Sequence, residues 1–100
     1  MDTEKVAALK RVRDLLGELD DFARKVENGD ATPAEIVAAR HTEDQLAAAL
    51  KKADDVRAIS GEYKLQAVAS VRSIVEGSTN AVTILKSLKD KNEEQIRYYS

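Results

Sequence analysis

The spacing of apolar residues between Glu62 and Tyr98 constrains the fold of this chain more than any other feature. Aliphatic residues recur there at steps of three and four, which is the period of one face of an α-helix. They form one stripe at Val68, Val71, Val75, Val82 and Leu85, and a second at Leu65, Ala67, Ile74, Ala81, Ile84 and Leu88. An arc this wide suits a helix that packs against two neighbours. The stretch is therefore predicted to be a helix around which the other elements pack.

A first helix is predicted from about Thr3 to Asn28. Its apolar seam has the alternating three-and-four spacing of a coiled coil or bundle. The seam consists of Leu9, Val12, Leu16, Leu19, Ala23 and Val26. Gly17 inside this helix costs about 1 kcal/mol relative to alanine, and we expect the close approach of a neighbouring helix to explain it. Gly29 is placed for the left-handed cap that ends a helix.

A second helix is predicted from Pro33 to about Ile59. Thr32 can accept from the backbone, Pro33 suits the first helical position, and Glu35 completes a capping box. Alanine is frequent on the apolar face of this helix, and such a face permits close helix contact.

The dipeptide Ser60-Gly61 leaves two folds open. It is a turn signal, yet the apolar period continues through it without slipping. One fold is an all-α, antiparallel three-helix bundle with a long C-terminal helix, forming a single helical domain over residues 1–100. The alternative is a helical hairpin with one very long helix from about residue 33 to 98, about 100 Å long at 1.5 Å per residue. The bundle is favoured because very long helices are uncommon.

A second weak point for helix formation runs from Glu76 to Asn80. Gly77, Ser78, Thr79 and Asn80 all have poor helix propensity. They predict either a kink, or a break into two shorter helices that would make a four-helix bundle.

Composition excludes several classes of function. The net charge is −2, and acidic and basic residues are interspersed, so charge alone does not indicate nucleic acid. The chain has no cysteine, which removes disulfides, thiolate catalysis and cysteine-ligated zinc. No apolar run approaches the roughly 18–20 residues that cross a bilayer. We expect a cytoplasmic protein without membrane association, although a viral particle or export without a cleavable signal would leave the same sequence.

The titratable residues do not form a catalytic pattern. His41 is the only histidine, and only Asp44 stands at a spacing that would share its helix face, which is too few ligands for a metal. The carboxylate pairs are adjacent in sequence and so point apart on a helix, and no nucleophile or phosphate-binding motif is present. The sequence therefore predicts no catalytic residue, no metal and no cofactor, and a protein that is not an enzyme.

One segment of the first helix resembles a known family. The residues that carry the resemblance run from Leu9 to Leu19 and include Arg24, Val26, Glu27 and Gly29. They look like the first helix of the small all-helical repressors that respond to copper, nickel or formaldehyde, which implies a tetrameric DNA-binding regulator. The resemblance covers less than a third of the chain. Thr32 stands near the position of the family's cysteine and His41 is out of register with its ligands, so the sensing chemistry is not carried over.

The sequence favours a non-enzymatic helical assembly or adaptor module. Its apolar arcs look too wide for a lone small bundle, which indicates self-association as a homo-oligomer or binding to another helical protein. The residues predicted to form that interface are Leu9, Leu16, Leu19, Val68, Val71, Val75, Val82 and Leu85. The alternative is a small all-helical DNA-binding transcriptional regulator that uses Lys10, Arg11 and Arg13.

Overall fold

A computed structural model describes residues 2–100 of the chain. The described residues form helices and connecting turns, with no β-strand. The helices are α1 (Thr3–Gly17), α2 (Asp20–Asn28), α3 (Pro33–Asp55), α4 (Gly61–Val75) and α5 (Ala81–Tyr99).

The helices pack side by side in an antiparallel bundle. α1 packs on α3 and α5, α3 packs on α4, and α4 packs on α5, while α2 extends α1 along α5. The bundle measures 42 × 20 × 20 Å. The prediction of an all-α bundle with a long C-terminal helix is confirmed. The very long helix is wrong, because a rod of that length would span about 100 Å.

The stretch predicted as the third helix is two helices. α4 ends at Val75 and α5 begins at Ala81. The core is therefore surrounded by four helical segments instead of three, with α1 and its extension α2 counted as one. Gly77 takes a left-handed conformation with φ 95°, which ends α4 and turns the chain back. Of the two outcomes predicted for Glu76 to Asn80, the structure therefore shows the break into two helices and not a kink in one helix.

The helices α2, α3 and α4 end in the same way, with one left-handed residue followed by a backbone N–H that bonds five residues back. The left-handed residues are Gly29, Arg57 and Gly77. The following bonds join Asp30 N to Lys25 O at 2.8 Å, Ala58 N to Ala53 O at 2.8 Å, and Ser78 N to Ser73 O at 3.1 Å. The predicted cap at Gly29 is confirmed, whereas the turn at Arg57 ends the second helix earlier than expected.

Ser60 starts a new helix. Its hydroxyl accepts from the backbone N–H of Tyr63 at 3.0 Å, as an N-cap does. Gly61 is the first residue of α4 and not the terminator of α3. The apolar period continues across this turn because α3 and α4 both bury one face in the same core.

The first predicted helix is interrupted after Gly17. The N–H of Leu19 bonds to the carbonyl of Leu16 at 3.0 Å, a tight three-residue turn that separates α1 from α2. The expected close approach at Gly17 is wrong, because an added Cβ there would meet no atom within 4 Å. The glycine stands at a bend in the chain, with open space beside it.

Candidate interaction groove

Most of the predicted interface residues lie inside the chain's own core. Six of the eight are at most 3% exposed: Leu9, Leu16, Leu19, Val71, Val75 and Leu85. Val68 packs partly buried against the core, and Val82 is exposed. The premise that the apolar arcs are too wide for this chain alone is wrong, because the break at Gly77 supplies a fourth helix that covers them.

Among residues 2–100, the large apolar residues that stay exposed are scattered. They are Val37, Leu65, Val82 and Tyr98. Leu65 on α4 is 68% exposed, and Val82 and Tyr98 stand near opposite ends of α5. Single exposed apolar residues are normal on a protein surface, so none of these marks a binding site alone.

A groove runs between α4 and α5. Its volume is about 880 Å³, and its lining includes Thr83 and Gln95, a span of about 20 Å along α5 at 1.5 Å per residue. Five apolar side chains contribute to the lining: Ala58, Ile59, Tyr63, Ile84 and Leu88. The neutral polar side chains of the lining are Ser60, Gln66, Ser70, Thr83, Ser87 and Gln95.

The groove exists because short polar side chains occupy the seam where α4 meets α5. Ser70 and Ser87 reach less far than the leucines and valines of the core, and α4 packs less closely on α5 than on α3. Sequence reasoning followed the apolar stripes and missed this surface. The signal was present as polar residues at every fourth position, since that spacing keeps residues near one helix face. They are Glu62, Gln66 and Ser70 on α4, and Thr83, Ser87, Lys91 and Gln95 on α5.

The groove lining is nearly neutral. Its charged members are one acid, Glu62, and one base, Lys91. Lys91 Nζ lies 3.6 Å from Glu94 in an exposed pair, which contributes little to stability. Burial raises the pKa of Tyr63, because a phenolate is poorly solvated there, so the ring stays neutral at physiological pH.

The described residues do not assemble a metal or catalytic centre. No three His, Asp or Glu side chains within residues 2–100 lie close enough together to hold a metal ion. His41 is exposed on α3. Glu43 instead accepts from Arg72 Nε at 3.1 Å, an ion pair that joins α3 to α4. In residues 2–100, no helix is both long and apolar enough to cross a membrane.

The basic residues predicted for DNA binding lie exposed on α1. Arg13 donates from Nε and Nη2 to Asp14 Oδ1 at 3.2 and 3.0 Å, so its charge is compensated by its neighbour. Lys10 and Arg11 are left as the exposed positive charges of this cluster. Two exposed charges on one helix are a weak phosphate-binding surface.

Comparisons with protein-family models, with curated proteins and with solved structures find no match to this chain. The resemblance of the first helix to the metal- and formaldehyde-responsive repressors therefore gains no support from them. The geometry of the groove is the strongest indication of function.

Proposed function

We propose that this chain is a non-enzymatic helical assembly module that pairs with a second copy of itself through the groove between α4 and α5. The observation that carries the proposal is the nearly neutral polar lining of that groove over apolar side chains. Polar residues around an apolar centre are the usual anatomy of a protein interface.

The lining is chemically complementary to itself. Serine, threonine and glutamine side chains both donate and accept hydrogen bonds, so each can pair with its own kind. A two-fold dimer places the same patch on both subunits, and it needs that property. A strongly charged partner helix would find no matching charge here, because Glu62 and Lys91 offset each other. This favours a second copy over a charged foreign helix.

A two-fold axis along the groove would bring the charges together as well. Because the groove lies between α4 and α5, such an axis sets α4 of one copy against α5 of the other. Glu62 of each copy would then face Lys91 of its partner, giving two ion pairs per dimer. The apolar side chains, including Tyr63 and Ile84, would be covered in the same step.

A pair of matched serine substitutions tests this proposal. Ser70→Glu places a charge in the groove, and Ser73→Glu places the same charge on the same helix outside it. Both serines are half-buried, so the folding cost of the two changes is similar. Sedimentation equilibrium should give the wild type and Ser73→Glu twice the 11.0 kDa chain mass, and Ser70→Glu the mass of one chain. A monomeric wild type at every concentration, or equal masses for the two variants, would overturn the proposal.

A further inference from the structure

In the described part of the chain, one polar side chain in the core has a buried acceptor without a donor. Asn92 of α5 is 2% exposed, and its Nδ2 donates to the carbonyl of Leu9 in α1 at 3.0 Å. Its Oδ1 is buried and accepts from no group among residues 2–100. A buried oxygen without a donor is unfavourable, because folding has taken it out of water.

Asn92 lines a small cavity at the centre of the bundle. The cavity has a volume of about 10 Å³, which is close to the least that holds one water molecule. Most of its lining is aliphatic, contributed by α1, α3, α4 and α5. The polar residues of the lining are Asn92, Gln95 and Tyr63.

We propose that this cavity binds one structural water, which donates a hydrogen bond to Asn92 Oδ1. A buried water normally makes two to four hydrogen bonds, and Gln95 and Tyr63 provide the further polar partners on the same cavity wall. The water would complete a polar connection from the Leu9 carbonyl in α1, through Asn92 in α5, to Tyr63 in α4. Three helices would then be held in register by one buried network.

The site has an exchange route to solvent. Ile59, Tyr63, Leu88 and Gln95 line both the cavity and the groove between α4 and α5. Movement of these side chains would admit or release the water, so its residence is set by the opening of the bundle at that seam. The proposal does not depend on self-association, because the cavity lies within one chain.

Nuclear magnetic resonance on the isotope-labelled full chain tests the proposal directly. Methyl groups of Val12 and Val71, which line the cavity, should show cross-relaxation with water that has the sign of a long-lived complex. Methyl groups of Leu15 and Leu46 are the matched control, since both residues are fully buried but lie outside the cavity lining. Cross-peaks at the cavity methyls and none at the control methyls are the expected result. Absence of cross-peaks at Val12 and Val71 would show a dry cavity and overturn the proposal.

Two substitutions separate bound water from other sources of the signal. Tyr63→Phe removes the hydroxyl proton that could relay magnetisation, and the cross-peaks should persist. Asn92→Leu removes the acceptor, and they should disappear. If Asn92→Leu does not fold, Gln95→Leu at a half-buried position gives the same readout, with weakened cross-peaks expected. Cross-peaks lost in Tyr63→Phe, or unchanged in Asn92→Leu or Gln95→Leu, would contradict a water held by Asn92.

Discussion

Lys25 Nζ at the end of α2 donates a hydrogen bond to the carboxylate of Glu35 in the first turn of α3. The same carboxylate accepts from the backbone N–H of Thr32 at 2.9 Å, and the Thr32 hydroxyl accepts from the N–H of Glu35 at 3.2 Å. Glu35 therefore completes the capping box at the start of α3 and also links α3 to α2 through Lys25. This places two favourable interactions on one titratable carboxylate.

We expect Glu35→Gln to reduce the dependence of the free energy of unfolding on pH in the acid range. The hydrogen bond from Lys25, and then that from the Thr32 backbone, lower the pKa of Glu35 from 4.5 to about 2. Because the folded state favours the carboxylate, its contribution is complete above about pH 4.5 and is lost as the pH falls through about 2. Urea unfolding followed by circular dichroism should show a difference between wild type and variant that shrinks over this window.

Repeating the Glu35→Gln comparison in a chain that also carries Lys25→Gln identifies the cause of that difference. In Lys25→Gln, the largest interaction that lowers the Glu35 pKa is gone. Most of the pH-dependent part of the Glu35→Gln effect should vanish there. With Lys25 in place, a stability difference between the wild-type and Glu35→Gln chains that stays constant as the pH falls from 4.5 to about 2 would contradict the lowered pKa.

Arg57 occupies a position that favours glycine. Its φ is 63°, and the left-handed region costs a residue with a Cβ roughly 1–2 kcal/mol. Arg57→Gly should therefore be more stable than Arg57→Ala by about 0.5–1 kcal/mol, after allowing for the greater freedom of glycine in the unfolded chain. Both variants lose the arginine side chain, so their comparison in urea unfolding isolates the backbone. Equal stability of the two would show that the turn is unstrained.

Val71 and Leu65 differ in what the same substitution should do. Val71 is 1% exposed and Leu65 is 68% exposed, although both lie on apolar stripes of one helix. Val71→Asp buries an unpaired carboxylate and should lower the free energy of unfolding by more than about 4 kcal/mol. Leu65→Asp should change it by no more than about 0.5 kcal/mol. A folded Val71→Asp chain of unchanged stability would place Val71 on the surface.

The basic cluster on α1 is expected not to bind duplex DNA. Arg13 is already paired with Asp14, and too few exposed charges remain in the cluster to displace many counterions. Fluorescence anisotropy of a labelled duplex at low salt should stay unchanged as protein is added. Salt-dependent binding that is lost when Lys10, Arg11 and Arg13 are replaced by glutamine would instead favour a nucleic-acid function.

Local chemistry made part of this fold predictable. The capping box at Thr32 and Glu35 and the left-handed end at Gly29 follow from residues only a few positions apart, and both are confirmed. The turn at Arg57 carries no such local signal, since arginine is not a residue that favours the left-handed conformation. The spacing of apolar residues continues across this turn because the helices on both sides of it bury one face in the same core.

The groove was harder to predict than the bundle. Its lining combines Ser70 of α4 with Ser87 of α5, and their proximity depends on the break at Gly77. Without that break, the apolar stripes lack a helix to cover them, and this is why the sequence alone predicts an interface there. Burial of Val71 and Leu85 moves those residues to the core, and leaves the short polar side chains as the candidate surface.

Mixed single-cysteine cross-linking tests the central claim, that α4 of one copy lies against α5 of another. The chain has no cysteine of its own, so Ser70→Cys and Ser87→Cys each introduce one thiol. When equal amounts of the two variants, one of them isotope-labelled, are mixed and oxidised, mass spectrometry should show clearly more mixed dimer than the two like dimers combined, whereas random pairing makes these two amounts equal. A mixture of Ser73→Cys with Ser87→Cys should show no such excess. A statistical distribution of dimers from the first mixture, or no cross-linked dimer at all, would contradict pairing through the groove.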